Sequence, residues 1–216
     1  MLTRIGGIIA KLKSITKDGK RYYVTPEGNK YPSVTTVAGI FAKEGIKKWR
    51  AKVGEDKANK ITTQASVRGT AVHKICEDYI NNDTDYLKGQ MPSNIQSFNS
   101  IKPIIDNKIN NVIMQECPLY SDYLKVAGTV DCIADWDNKL SIIDFKTSRK
   151  VKKREWIDNY FMQTAAYAVM FEERTKRPVN QIVILITVDN EDPQICLLYT
   201  SPSPRDRTRS RMPSSA

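Results

Sequence analysis

Apolar positions along this chain recur with two periods. In SVRGTAVHKICEDYINN, residues 66–82, Val72, Ile75, Cys76, Tyr79 and Ile80 fall three and four apart, the spacing that lines one face of a helix. NIQSFNSIKPIIDNKINN, residues 94–111, repeats the period and predicts a helix bent or divided near Pro103, which has no N–H to donate to the preceding turn. EWIDNYFMQTAAYAVMFEERTK, residues 155–176, predicts a strong third helix. Elsewhere β-type residues dominate. NVIMQECPLY (111–120), KVAGTVDCIADW (125–136) and KLSIIDFK (139–146) read as strands, with Pro118 favouring a sheet edge for the first, and NQIVILITVDN (180–190) reads as a buried strand. RYYVTPEGNKYPS has β-type residues on both sides of a Pro-Glu-Gly-Asn turn and predicts a small hairpin over 21–32. Ser33, Thr35 or Thr36 then caps a helix through about residue 42, and another helix follows around 45–59. The order helix, three strands, helix, strand predicts an α/β fold with a parallel or mixed sheet, because a long helix between strands is the usual crossover connection. No internal repeat is present.

The two middle strands raise a question of spacing. Asp137-Asn138 suits a two-residue hairpin turn. If Trp136 opposes Lys139, Asp131 lies directly opposite Asp144, with Cβ atoms roughly 4.5–5.5 Å apart, where like charges repel unless a cation sits between them. Strand period two puts Lys146 on the face of Asp144 and turns Ile143 and Phe145 the other way. The result is an acidic notch of metal size with an ammonium beside it. The same residues also fit opposed surface carboxylates on an ordinary hairpin ending in Lys, and a one-residue slip would separate the faces.

Composition narrows the choice. The 216 residues suit one domain with a sizeable core and carry a net charge of +10. A basic chain points to an anionic partner, most often nucleic acid, although a merely basic surface has the same composition. Absence of a long apolar run or signal-peptide pattern predicts a soluble, cytoplasmic protein with no membrane partner, the host cytoplasm if the source is viral. Cys76, Cys117, Cys132 and Cys196 show no CxxC spacing and there is one His, so no iron–sulfur cluster or zinc finger is expected; reduced thiols are. The stretch CLLYTSPSPRDRTRSRMPSSA, residues 196–216, abandons the hydrophobic patterning and looks like translated adaptor sequence. It is expected to be a non-native disordered tail after a domain ending near 195. Without its four Arg and one Asp the chain keeps +7.

Taken in order, RGTAVHKICED, GTVDCIADW, IDFKTS and NYFMQTAAY resemble the PD-(D/E)XK nuclease superfamily, its RecB-like exonuclease branch and the mitochondrial genome maintenance exonucleases above all. YPSVTTV followed by IKKWR also resembles the latter group, and phage genomes carry similar proteins. The likeness covers roughly residues 20–190. Val130 stands where the superfamily's name has proline, a proline this branch commonly lacks. The resemblance implies a restriction-endonuclease-like core over about 66–190, a mixed central sheet flanked by helices, and an N-terminal extension, 1–65, of hairpin and helices.

It also implies roles. His73, Asp131, Asp144 and the backbone carbonyl of Phe145 would hold a divalent metal, Mg²⁺ or Mn²⁺, with Asp131, Asp144 and Lys146 catalytic. Glu77, four residues after His73 on one helical face, is a weaker ligand candidate or a surface charge. Gln163 and Tyr167, the family's QxxxY, would position DNA, although Tyr167 also fits the apolar stripe of Phe161, Ala165, Val169 and Met170. Thr147 and Ser148 are candidate phosphate donors and Arg68 a backbone contact, each equally explained as a polar terminus residue. Ser33 and Thr35 are helix caps or DNA-end contacts. Tyr22, Tyr23, Trp49, Lys47, Lys48 and Arg50 are candidates for stacking and backbone contacts, or core residues. The expected function is a metal-dependent DNA exonuclease acting on single strands or ends in phage or host recombination, repair or processing. The alternatives are an endonuclease or junction resolvase on the same fold, or a non-catalytic DNA-binding accessory protein, which the intact Asp131, Asp144 and Lys146 argue against.

Overall fold

A computed structural model describes residue 2, residues 12–17 and residues 19–199. Its central element is a five-stranded sheet whose first three strands come straight from the alternating segments. They are β4 (Ile109–Ser121), β5 (Val126–Trp136) and β6 (Lys139–Ser148), as numbered after three strands nearer the N-terminus. Asp137 and Asn138 both take positive φ, 50° and 62°, the conformation that a tight hairpin matched to strand twist requires. The predicted register follows, with Trp136 against Lys139 and Cys132 against Ile143. β4 lies at the edge, where Pro118 withholds no ladder hydrogen bond from a central strand.

From β6 the chain crosses through helix α4 (Asp158–Thr175) and returns as β7 (Gln181–Val188), parallel to β6. β8 (Gln194–Tyr199) then runs antiparallel on β7, completing the order β4-β5-β6-β7-β8. The sheet is therefore mixed, as expected. The boundary drawn at residue 195 moves, however, because Cys196–Tyr199 pair with Gln181–Ile184 as an edge strand; residues 200–216 of the expected tail lie outside the described residues.

Helices cover both faces. α2 (Glu55–Ile80) and α3 (Pro92–Lys108) lay Val72, Ile75, Phe98, Ile101 and Ile105 against Ile143, Phe145 and Leu185. On the opposite face Tyr167, Met170 and Phe171 of α4 meet Val130, Ile133 and Ile142. α3 runs unbroken through Pro103. The helical segments expected at about 34–42, 45–59 and 66–82 are instead two, α1 (Val34–Val53) and α2, broken at Gly54. Gly45 is absorbed within α1, whereas Gly54 takes φ +90°, a conformation closed to helices and unfavourable to residues with a Cβ. Because α2 runs through residue 66, the N-terminal extension is continuous with the core.

The N-terminal hairpin forms as predicted, β2 (Lys20–Val24) with β3 (Lys30–Pro32), and gains a further strand, β1 (Lys13–Lys17). Tyr23 and Tyr31 pack on Tyr120 and Ala127 of the main sheet, while the Tyr31 hydroxyl donates to Asp122 at 2.8 Å. This docks the small sheet beside one end of β5. No described helix is long and apolar enough to cross a membrane.

Candidate active site

Strand alternation breaks at Asp131, and the site is built around that break. Gly128 and Val130 face the α4 side, yet Cys132, Ala134 and Trp136 face α2 and α3, so the facing slips by one residue between Val130 and Cys132. Both ladders skip the position. The β4–β5 pairing passes from Gln115–Cys132 to Cys117–Val130, and the β5–β6 pairing ends at Cys132–Ile143. Asp131 and Asp144 are thus not a directly opposed pair, because the Phe145 N–H that would continue the ladder donates to Asp131 Oδ2 at 2.9 Å. The carboxylate inserts between the strands and is held there by the strand that carries Asp144 and Lys146.

Four more groups converge on it. His73 Nδ1, from α2, lies 3.4 Å from Asp131 Oδ2. Asp144 is buried, 1% exposed, and its Oδ2 forms an ion pair with the Lys146 ammonium. Gln163 Nε2, from α4, lies 3.5 Å from Asp144 Oδ1 and 3.4 Å from the Tyr167 hydroxyl. Burial holds the Asp144 carboxyl above the usual range, with the Lys146 ammonium opposing that and Asp131 adding to it. Burial works against the Lys146 charge, but Asp144 and Asp131 outweigh it and keep the side chain an ammonium.

Glu116 is a functional candidate that the sequence reading misses. It sits on β4 with φ +45°, and ligand atoms from His73, Glu116 and Asp131 all lie within 4.8 Å of one another. Although open to the cleft at its surface, its carboxyl is pushed up to about 7, first by burial and then by Asp131's charge. The neighbouring Gln115 donates from its side chain to the Glu77 carbonyl at 2.9 Å, tying this part of β4 to α2. The signal was available, since pairing Ser121 with Val126 sets Glu116 level with Asp131 by the same counting that relates Asp131 to Asp144.

Among the other predicted residues the structure divides sharply. A cleft of about 650 Å³ gathers His73, Glu77, Asp131, Lys146, Gln163, Tyr167, Ser33 and Thr35, together with Arg21, Lys74 and Glu116. Glu77 pairs with Lys74 at 3.2 Å and stands outside the close ligand group. Ser33 occupies the N-cap position of α1 but makes no capping bond; its hydroxyl meets that of Thr35 at 2.5 Å, so the capping assignment fails and both hydroxyls border the cleft. Tyr167 is 2% exposed and belongs to the core, yet it borders the cleft, with its hydroxyl meeting Gln163. Arg68 lines a separate cavity, its guanidinium paired with Asp189 at 2.6 Å. Ser148 is buried, with its hydroxyl donating to the Lys150 carbonyl at 2.6 Å, and Thr147 lies beside Gly69 of α2. Neither lines the cleft. Tyr23 packs in the core yet also borders the cleft, and Arg50 is bonded to Glu55 and Asn59.

Gly128 explains part of the motif in which it stands. A Cβ there would meet the Tyr167 ring and hydroxyl and Val34 Cγ1, each at 2.9 Å, below any ordinary contact. Gly128→Ala is therefore expected to destabilise the fold by about 1–3 kcal/mol, the usual cost of overpacking. Urea denaturation checks this; an unchanged midpoint would mean that the Tyr167 ring yields freely.

The donor set suits a hard divalent cation. Carboxylate oxygens and one imidazole converge, and the buried Asp144 carboxylate stands beside them, paired with Lys146. A family model for the PD-(D/E)XK nuclease superfamily matches residues 101–206. The mitochondrial genome maintenance exonuclease 1 proteins of Mus musculus and Xenopus tropicalis are 28% and 27% identical over 149 and 156 residues, 64% and 68% of this chain and 44% of each relative. The chain thus spans less than half the length of the curated relatives it matches. A solved structure from Eubacterium rectale superposes with a TM-score of 0.44 at 13% identity, covering 62% of this chain and 59% of that one. The matched residues include Glu116, Asp131, Asp144, Lys146, Gln163 and Tyr167, and over that span the chain is similar to the PD-(D/E)XK nuclease superfamily.

Proposed function

We propose that this chain is a metal-dependent DNA exonuclease that hydrolyses phosphodiester bonds from free ends, with single strands as its preferred substrate. The observation that carries the reading is the convergence of Asp131, Asp144 and Lys146 at the break in β5, beside His73 and Glu116. The curated relatives are named exonucleases, which supports action from an end. A role in DNA recombination, repair or processing, in a phage or its host, goes with that activity.

Asp131, Asp144, His73 and the Phe145 carbonyl would hold Mg²⁺ or Mn²⁺, with Glu116 as a further oxygen donor. A divalent cation bound there supplies charge for the non-bridging phosphate oxygens and lowers the pKa of a coordinated water. The chain's own groups do the rest. Lys146, kept as an ammonium, faces the charge that grows on the phosphate as phosphorus becomes five-coordinate, and it is not a free base. Gln163 contacts Asp144 and helps fix its orientation, and Tyr167 supports Gln163 from the core. In net terms the water oxygen loses a proton and bonds to phosphorus, the ester P–O bond breaks, and the leaving oxygen gains a proton.

End-labelled linear and closed circular single-stranded DNA, with linear duplex alongside, test the reading in Mg²⁺, Mn²⁺ and EDTA at one salt concentration. The expected result is metal-dependent cleavage of the linear single strand, slower cleavage of duplex and an intact circle. Equal rates on circle and line would replace the exonuclease with an endonuclease, and cleavage in EDTA would end the metal reading.

A further inference from the structure

Directly after the catalytic strand, RKVKKREW, residues 149–156, sets five basic residues and one acidic residue around two exposed apolar side chains. Trp156 is 56% exposed and Val151 50%, whereas Trp136 is buried in the core. An indole left in water at the end of a basic run is not explained by packing. Nor is the segment loosely attached. Ser148 Oγ donates to the Lys150 carbonyl, and Gln194 clamps Lys152 from both sides, accepting from its N–H at 2.7 Å and donating to its carbonyl at 2.9 Å. Residues 154–156 form a 3₁₀ turn, and Ile157, fully buried, anchors the segment to the core. The backbone is fixed while the side chains face out.

These side chains also stand together. The Lys153 ammonium lies 5.4 Å from the Trp156 ring centre, and the Arg154 guanidinium 4.1 Å from that of Phe161. At one end the segment joins β6, which carries Asp144 and Lys146; at the other it feeds α4, whose Tyr160 ring centre is 5.4 Å from the Lys146 ammonium. The segment is thus tied to the site at both ends, through β6 and through α4. Fixed positive charge with an exposed indole is the combination that holds a single nucleic-acid strand, since every base offers a face to stack on.

We propose that residues 149–156 form a docking ridge for single-stranded DNA next to the cleft, Trp156 stacking on a base while Lys150 and Lys153 contact phosphates; Arg154, paired with Asp158 and seated over Phe161, holds the turn. This rests on the nuclease reading above and adds to it the surface that holds the strand. A paired duplex hides its base faces, so the Trp156 contribution belongs to single strands alone.

The test uses the full chain carrying Asp144→Asn, so that DNA is bound but not cut, and reads fluorescence anisotropy of a labelled oligo(dT) and a labelled duplex. Adding Trp156→Ala is expected to weaken oligo(dT) binding about tenfold, within the range for loss of one stacked base, and to change duplex binding less than twofold. Adding Lys150→Ser and Lys153→Ser should flatten the salt dependence of oligo(dT) binding, as loss of phosphate contacts does. Trp156→Phe, which keeps a ring, should recover most of the affinity. Oligo(dT) affinity unchanged by Trp156→Ala overturns the proposal, and so does an equal loss for both probes. The binding assay is independent of cleavage. A ridge that binds as described in a wild-type protein that cuts nothing would sink the nuclease reading and leave the ridge standing.

Discussion

Asp144→Asn is expected to lower hydrolysis by about a thousandfold or more while the protein stays folded and still binds single-stranded DNA. The carboxylate is 1% exposed and its Oδ2 pairs with the Lys146 ammonium, so an amide there keeps the shape and loses the charge that a cation needs. Two effects on stability oppose each other. Lys146 loses its paired anion, but Asp131 and Glu116 lose a negative neighbour, so the melting temperature should shift only modestly. Single-turnover rates with excess Mg²⁺ or Mn²⁺, beside a thermal melt and an anisotropy titration, check all three statements. Cleavage near the wild-type rate would remove Asp144 from the metal site and with it the proposed chemistry.

Lys146→Met should act on stability and on turnover together. Its methylene stem is replaced by one of similar length, but Asp144 is left buried without a countercharge, and breaking a buried pair from one side costs about 3 kcal/mol. That loss is expected in EDTA, by urea denaturation, and saturating Mn²⁺ should recover part of it because a cation bound only to the folded state stabilises it. Turnover should fall about a hundredfold with metal present, through loss of the ammonium that faces the phosphate. If the variant were as stable as the parent in EDTA, the Lys146–Asp144 pair would contribute nothing to the fold. If it turned over normally, Lys146 would have no part in catalysis.

The sheet was readable from the sequence because its information is local. A two-residue turn at Asp137-Asn138 fixes the β5–β6 register, and alternation around Ile142, Ile143 and Phe145 says which side chains share the Asp144 face. The break at Asp131 was not readable in this way. It depends on a side chain taking the Phe145 N–H in place of the ladder, a choice that follows from tertiary competition between hydrogen bonds. Glu116 was missed for a related reason, since its nearness to Asp131 appears only when the β4–β5 register is counted as well. Arg68 pairs with Asp189 away from the cleft, and the buried Ser148 hydroxyl turns to the Lys150 carbonyl. Motif position indicates which residues lie near a site, but it does not say which partner a side chain will choose. The helix break at Gly54, rather than near Gly45, shows the same limit, as either glycine could have ended α1.

Because the Tyr167 ring leaves no room for a Cβ at residue 128, the two positions cannot drift independently during divergence. A chain that exchanged Gly128 for a larger residue first would carry a strained intermediate, whereas one that first reduced Tyr167 would open a void under Gln163 and loosen the side chain that contacts Asp144. Each route to change passes through a poorer enzyme or a poorer fold. A glycine in a strand and a tyrosine on a helix 39 positions away are thus bound into one packing unit, and a substitution at either is felt at the other.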